Sequence, residues 1–316
     1  MEQTAPRTSI PDQNKWGNLI RRSRLKKFLD SPASLNIMYL PALILFAVFI
    51  FYPLIEGIKF SFTDWNGYSD HYSFVGLDKY RYMFSDMKTR LTIVNTLIYG
   101  LGSTLFQNIF GLAYALFLNN KFRGRAIVRT IVYFSVIISP LIMGYIFYFV
   151  FQYDRGALND IMKLLNLDPV DWLGNGKRAV WLITFVNTFQ YMGVSMVVYL
   201  AGLQAVPKDY LEAAEVDGAS GFEKFIHVTL PLLMPAITIS IVLNIIEGLK
   251  LFDIIMSLTR GGPGYASHSL SSMMYDLYFS RQDAGFAAAL GILMFVLISA
   301  VGLTSLLFLR KKEVDL

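Results

Sequence analysis

Six stretches without a single Asp, Glu, Lys or Arg run through this 316-residue chain, and their lengths limit its fold more than anything else in it. They cover 31–55, 91–120, 130–153, 179–207, 225–246 and 284–309, and are 25, 30, 24, 29, 22 and 26 residues long. A helix needs about 20 mostly apolar residues to cross a hydrocarbon layer about 30 Å thick, so each is long enough to cross with some tilt. Burying all six in a soluble core is the alternative use. With only 16% charged residues, the remainder offers too little polar surface to cover such a core. Tyr39, Tyr52, Tyr133, Tyr153 and Trp181 fall near the ends of these stretches, where amphipathic rings sit at headgroup depth. The predicted fold class is an all-α membrane protein with six transmembrane helices.

The basic residues orient it. If the N-terminus is cytoplasmic, sixteen Lys and Arg fall on the cytoplasmic side, in 1–30, 119–129, 205–230 and 310–312, against eleven on the other side in longer loops. That asymmetry favours both termini cytoplasmic. Residues 1–32 read as a cytoplasmic tail, 33–312 as one membrane domain and 313–316 as a short C-terminal tail. Arg21, Arg22, Arg24, Lys26 and Lys27 precede the first stretch as they would a signal peptide, but that stretch is long enough to span and lacks a small-residue cleavage site. The net charge of +5 is thus a membrane-topology signal rather than a nucleic-acid footprint.

Several chemistries have no residues to carry them. Without cysteine there is no disulfide framework, thiolate metal site or cysteine nucleophile. No GxxxxGK[ST] loop occurs, and Gly261-Gly262-Pro263-Gly264 lacks the lysine that would meet a phosphate. There is no HExxH, and His71, His227 and His268 stand apart in sequence. No nucleophile–base–acid set is recognisable, so neither an enzyme nor a resident cofactor is expected.

The segment between the fourth and fifth stretches, 207–231, is too ordered for a plain connection. Pro207 suits the start of a helix, Gly218 a left-handed stop, and Ser220 with Glu223 spells a capping box for a second helix. Pro231 and Pro235 should break or bend that helix where the chain returns to lipid. The hairpin carries five acidic and two basic residues, so an anionic leaflet would repel it. Ala213, Ala214 and Gly218 permit close approach of another backbone, and Phe222, Phe225 and Ile226 offer an apolar face. Two readings follow from the residues: a docking knob for a basic groove on a cytosolic protein, or a solvated link between two spans.

Glu212-Ala213-Ala214, Gly218 and Leu230-Pro231 resemble the EAA signature of ABC-importer permease subunits, in which Glu-Ala-Ala is followed at fixed spacing by Gly, Ile, a free position and Leu-Pro. Val228 stands in the Ile position and leaves the spacing intact. Asp217-Gly218-Ala219 and the ending Leu230-Pro231 with Pro235 are similar to the carbohydrate branch, the permeases of maltose-type and glycerol-phosphate-type importers. The resemblance takes in the six-span layout and the Gly-Gly-Pro-Gly loop but not residues 1–32. It implies a type I importer fold in the bacterial cytoplasmic membrane, with the hairpin as a coupling helix whose Glu212 faces a basic group. It also implies partners: a second homologous permease, a cytosolic ATPase dimer holding ATP and Mg, an extracellular or periplasmic solute-binding protein, and a carbohydrate, most simply an oligosaccharide.

A cargo path has two sets of candidates. Glu247 lies about 18 Å along a helix starting near Pro235, given a rise of about 1.5 Å per residue. Glu247 and Lys250 at that depth either mark a pathway or neutralise each other across one turn, with Asn244 a turn below. Asn187, Gln190 and Tyr191, with Ser195 beyond, either meet sugar hydroxyls or bond between helices. Two other functions are weighed against import by ATP: an ion-coupled secondary transporter using Glu247 and Lys250, and a scaffold or receptor whose hairpin recruits a signalling protein. Neither accounts for the spacing of the signature.

Overall fold

The computed structural model describes residues 32–313, with side chains from Tyr39 onward. The tails expected at 1–32 and 313–316 thus lie outside the described residues, apart from Pro32 and Glu313.

The chain forms two compact units, the first ending at Glu56. The described part of the first unit belongs to one helix, α1, which runs from Pro32–Phe46 through a π-helical turn at Ala47–Phe51 into Tyr52–Phe60, residues 57–60 falling after the end of that unit. The second unit contains α2 (Asp78–Ser85), α3 (Met87–Asn119), α4 (Arg125–Ile137), α5 (Pro140–Phe151), α6 (Ala157–Leu164), α7 (Gly176–Ala205), α8 (Lys208–Val216), α9 (Gly221–Leu232), α10 (Met234–Leu249), α11 (Asp253–Leu258), α12 (Leu270–Tyr275) and α13 (Ala284–Arg310). No sheet occurs among the described residues. A single antiparallel bridge joins Thr63 to Phe74.

Four of the six expected spans are unbroken helices: Tyr39–Phe60, α3, α7 and α13. The other two are bent pairs. The pair α9 and α10 turns by 66° at Leu233, where Pro231 and Pro235 were expected to bend it. The pair α4 and α5 turns by 99°, which counting apolar residues did not anticipate. Pro140 is the cause: it lacks an N–H and forces the residues before it out of the helical region, so Ile138 and Ser139 are extended. Side chains of α7 and α4 absorb the break. The Nε2 of Gln190 donates to the Ile138 carbonyl at 2.8 Å, and the Ser135 hydroxyl donates to the Gln190 carbonyl at 3.1 Å.

Within the second unit α7 is the central element, packed against α3, α4 and α10. Of the four unbroken spans it is also the least apolar, with mean hydropathy 1.3 over a window that is 56% buried, whereas α13 reaches 2.6 over a window only 6% buried. That is the order expected when lipid lies outside: helices facing hydrocarbon must be apolar, and only a helix sheltered by protein can carry polar groups. Helices approach through small residues, the usual route in membranes. A Cβ on Gly193 of α7 would lie 2.8 Å from the Val132 carbonyl oxygen of α4, and one on Gly248 of α10 would lie 2.9 Å from the Cα of Gly100.

Two apolar clusters sit at opposite ends of α7. One gathers Val180, Ile183 and Val186 with Tyr99, Met143, Ile254 and Leu258. The other gathers Met196, Tyr199, Leu200 and Leu203 with Ala115, Leu118, Leu233 and Ala236. Between them α7 buries Asn187, Thr188, Gln190 and Ser195. The glycine loop after α11 is part of this packing, not a free excursion. Asn95 donates to the carbonyls of Ala266 and His268, at 2.8 and 3.2 Å, and the Tyr99 hydroxyl donates to Ser267 at 2.9 Å. His268, isolated in sequence, is buried, with Nδ1 2.9 Å from the Ser272 hydroxyl.

Candidate functional site

The buried polar residues of α7 face polar residues of α3 and α10 and form one layer across the middle of the unit. Asn187 donates to the Ser103 hydroxyl at 2.9 Å, and Gln107 donates back to the Asn187 carbonyl at 3.0 Å. Asn108 gathers two hydroxyls on its Oδ1, from Tyr199 of α7 and from Ser240 of α10, the latter at 2.8 Å. Asn244 of α10 donates to Ser195 at 2.7 Å. Three helices are thus tied by side-chain bonds that have no water to compete with them in a bilayer, each worth about 1 kcal/mol. Two buried acceptors in the layer, Gln107 Oε1 and Gln190 Oε1, take no hydrogen bond from the described residues.

Of the residues expected along a cargo path, Asn187, Gln190 and Asn244 are buried in these interhelical bonds. Tyr191, Glu247 and Lys250 are elsewhere. Glu247 is exposed in the last turn of α10 and pairs with Lys250 at 3.7 Å, their side chains 71% and 48% exposed. The carboxylates of Glu247 and Asp253 both lie within electrostatic reach of the half-buried Tyr191. Lys250 was expected inside a span, but α10 ends at Leu249 and Asp253 opens the separate helix α11. The chain can leave the helix there because serines accommodate the freed carbonyls: Ser271 donates to Lys250 at 3.1 Å and Ser269 to Leu251 at 2.6 Å. The expected path residues therefore separate into a buried set that holds helices together, an exposed charged pair at the end of α10, and the half-buried Tyr191 of α7. Asn95, Gln107 and Asn108 also belong to the polar framework, and no local pattern in the sequence singles them out.

The hairpin follows its sequence closely. Pro207 sits at the cap position and α8 begins at Lys208. Gly218 takes φ +79, its N–H bonds the Glu215 carbonyl at 3.1 Å, and the Ala219 N–H bonds Ala214 at 3.0 Å. Together these form a Schellman turn, which satisfies carbonyls that the helix end would otherwise orphan. Ser220 and Glu223 then make the capping box, with the Ser220 N–H 2.8 Å from Glu223 Oε2. Lys224 pairs with Glu215 and ties the two arms. Glu212, Ala213, Asp217 and Gly218 are exposed, Ala214 is buried, and Leu230 and Pro231 are half-buried at the bend into α10. The hairpin thus presents a fixed acidic surface on a turn continuous with α7 and α10, the helices that carry the polar layer.

No atom lies within 4 Å of a Cβ on either Gly218 or Gly221, so the two residues differ only in backbone conformation. Gly218→Ala is expected to destabilise the hairpin by about 1 kcal/mol, the cost of a left-handed alanine, while Gly221→Ala should cost nothing. Hydrogen exchange of the α8 and α9 amides measures the difference.

The family model for the binding-protein-dependent transport system inner membrane component matches residues 107–313. The chain belongs to that family, a multi-pass membrane component of ABC transport systems. A multiple sugar-binding transport system permease protein of Streptococcus mutans is 31% identical over 290 residues, which are 92% of this chain and 99% of that one. A trehalose/maltose transport system permease protein of Thermococcus litoralis is 35% identical over 262 residues, covering 83% of this chain and 88% of that one. Among solved structures, a chain of a bacterial ABC transporter involved in the import of the acidic polysaccharide alginate superposes with a TM-score of 0.77 at 25% identity, covering 91% of this chain and 99% of its own. The fold is accordingly that of an ABC-importer permease, a family of which an EAA motif is typical, and Glu212-Ala213-Ala214 with Gly218 falls within the residues that the family model matches.

Proposed function

We propose that this chain is one transmembrane subunit of an ATP-driven, binding-protein-dependent importer that carries a sugar, most simply an oligosaccharide, across the cytoplasmic membrane by alternating access. The observation that carries the reading is the hairpin: its Schellman turn and capping box hold Glu212, Asp217 and Gly218 at the surface of a rigid piece continuous with α7 and α10. A push on that piece reaches both helices that carry the polar layer, the arrangement needed to convert a cytosolic movement into a change of span packing. The sugar systems named for the relatives support a carbohydrate cargo.

In this reading both termini are cytoplasmic and the hairpin docks on a cytosolic ATPase dimer, where Glu212 meets a basic group. ATP and Mg belong to those subunits, and this chain holds no cofactor and performs no catalysis. A second homologous permease faces Tyr191, Glu247 and Lys250 across the cargo path. A solute-binding protein delivers the sugar on the opposite side of the membrane, and nucleic acid has no part in it.

The test is to purify the chain with its cytosolic ATPase and measure ATP-driven uptake in proteoliposomes across a sugar panel. Glu212→Lys is expected to weaken the docking by at least about 2 kcal/mol, roughly thirtyfold in affinity, and to lower uptake with it. Unchanged assembly and uptake in that variant, or uptake that stops when an ion gradient is dissipated while ATP remains, would overturn the reading.

A further inference from the structure

The loop between α5 and α7 contains a helix turned the wrong way round for water. In α6, Asn159 is fully buried and its side chain holds the loop together. Its Nδ2 donates to the carbonyls of Tyr153 and Val170, at 3.1 and 2.9 Å, and its Oδ1 accepts from the Val170 N–H at 3.1 Å and the Trp172 indole N–H at 2.9 Å. Four bonds to three residues fix how the helix is rolled. As a result Ile161, Leu164, Leu165 and Leu167 point away from the protein, with Leu164 83% and Leu165 64% exposed. Asp160 and Lys163 pair with each other at 3.5 Å. A loop facing water would turn asparagine outward and leucine inward, so the medium beyond α6 is apolar.

The position of α6 identifies that medium. It begins at Ala157, directly after α5 ends at Phe151, and α7 opens at Gly176. The segment therefore lies between the ends of two membrane-crossing elements, on the face opposite the α8–α9 hairpin because α7 crosses in between. Exposed aromatic residues also lead up to it along the chain: Tyr145, Tyr148 and Phe149 on α5 and Tyr153 after it are all exposed, as are Ile161 and Leu164 that follow. Tyrosines there belong at the headgroup boundary.

We propose that α6 and the following Leu165–Leu167 turn lie in the bilayer interface, with their leucines among the upper acyl chains, and anchor the end of the bent third span to the membrane surface. The occupant of this face is phospholipid, and the inference depends on the membrane fold but not on the cargo.

The absence of native cysteine makes the test direct. Leu164→Cys, Leu165→Cys and, as the polar-side control, Lys163→Cys are each labelled with a nitroxide. The assembled transporter, with partners lacking reactive cysteine, is reconstituted in phospholipid vesicles. Accessibility to oxygen and to a water-soluble nickel chelate is then compared. At 164 and 165 oxygen should dominate, at a depth of about 5–10 Å, and at 163 the nickel chelate should dominate. Nickel access dominating at 164 and 165 would place the leucines in water and overturn the proposal. Exclusion of both reagents there, or their loss when a solute-binding protein is added, would assign the face to a protein and overturn it equally.

Discussion

Gly248→Leu is expected to prevent the second unit from assembling, and Gly248→Ala to be markedly worse than Gly100→Ala, although the two glycines face each other. A Cβ on Gly248 would meet backbone: the Gly100 Cα at 2.9 Å and the Tyr99 carbonyl oxygen at 3.0 Å, with the Ser103 hydroxyl at 3.1 Å. The two backbone atoms cannot move without separating α3 from α10. A Cβ on Gly100 would instead meet side-chain atoms, Leu249 Cδ2 at 2.5 Å and Cγ at 2.7 Å, which can shift by side-chain rotation before either backbone has to move. Overpacking costs about 1–3 kcal/mol where neighbours yield and more where they do not. The separation forced by leucine would also strain the bonds anchored nearby, Asn187 to Ser103 and Tyr99 to Ser267. Midpoints of thermal unfolding in detergent, with recovery of intact protein from membranes, should rank wild type above Gly100→Ala, then Gly248→Ala, with Gly248→Leu unrecoverable. Equal losses for the two alanine variants would show that the contact is not as tight as drawn.

The contrast between these glycines was not legible in the sequence, where both are single glycines in apolar runs. What could be read there was local. The hairpin was readable residue by residue because its turn and its cap act within five positions: Gly218 closing on Glu215, Ala219 on Ala214, and Ser220 exchanging bonds with Glu223. The bend at Pro231 and Pro235 was readable for the same reason. The polar layer was not, since Gln107 finds Asn187 and Asn95 finds Ala266 across 80 and 171 positions. The break at Ser139-Pro140 did carry a signal, the proline itself, which counting charge-free residues passes over. Lys250 was misplaced into a span because the hydroxyls that let α10 end come from Ser269 and Ser271, well beyond it in sequence.

If the hairpin docks as proposed, charges placed on its apolar tip should release the ATPase without unfolding the permease. Phe222, Phe225 and Ile226 were expected to share one apolar face, but the structure divides them: Phe222 is 75% exposed at the start of α9, while Phe225 and Ile226 are half-buried. Val216, at the end of α8 and not anticipated as part of this surface, is 86% exposed. The groups able to enter a partner's pocket are therefore Phe222 and Val216, on either side of the Gly218 turn. Phe222→Asp exchanges a buried aromatic anchor for an unpaired charge in the docked state, a change expected to cost about 2–4 kcal/mol of affinity, or roughly 30- to 1,000-fold. In the free permease the same residue already faces solvent, so its thermal midpoint should not move. Phe225→Asp should do the reverse, lowering the permease's own stability: both rings border the cleft between the hairpin and the ends of α3 and α7, but Phe225 is half-buried there whereas Phe222 is three-quarters exposed. Copurification of the ATPase beside thermal unfolding of the permease separates the two effects. If Phe222→Asp retained the ATPase in full, the apolar tip would have no part in docking, and the acidic surface around Glu212 and Asp217 would have to carry it alone.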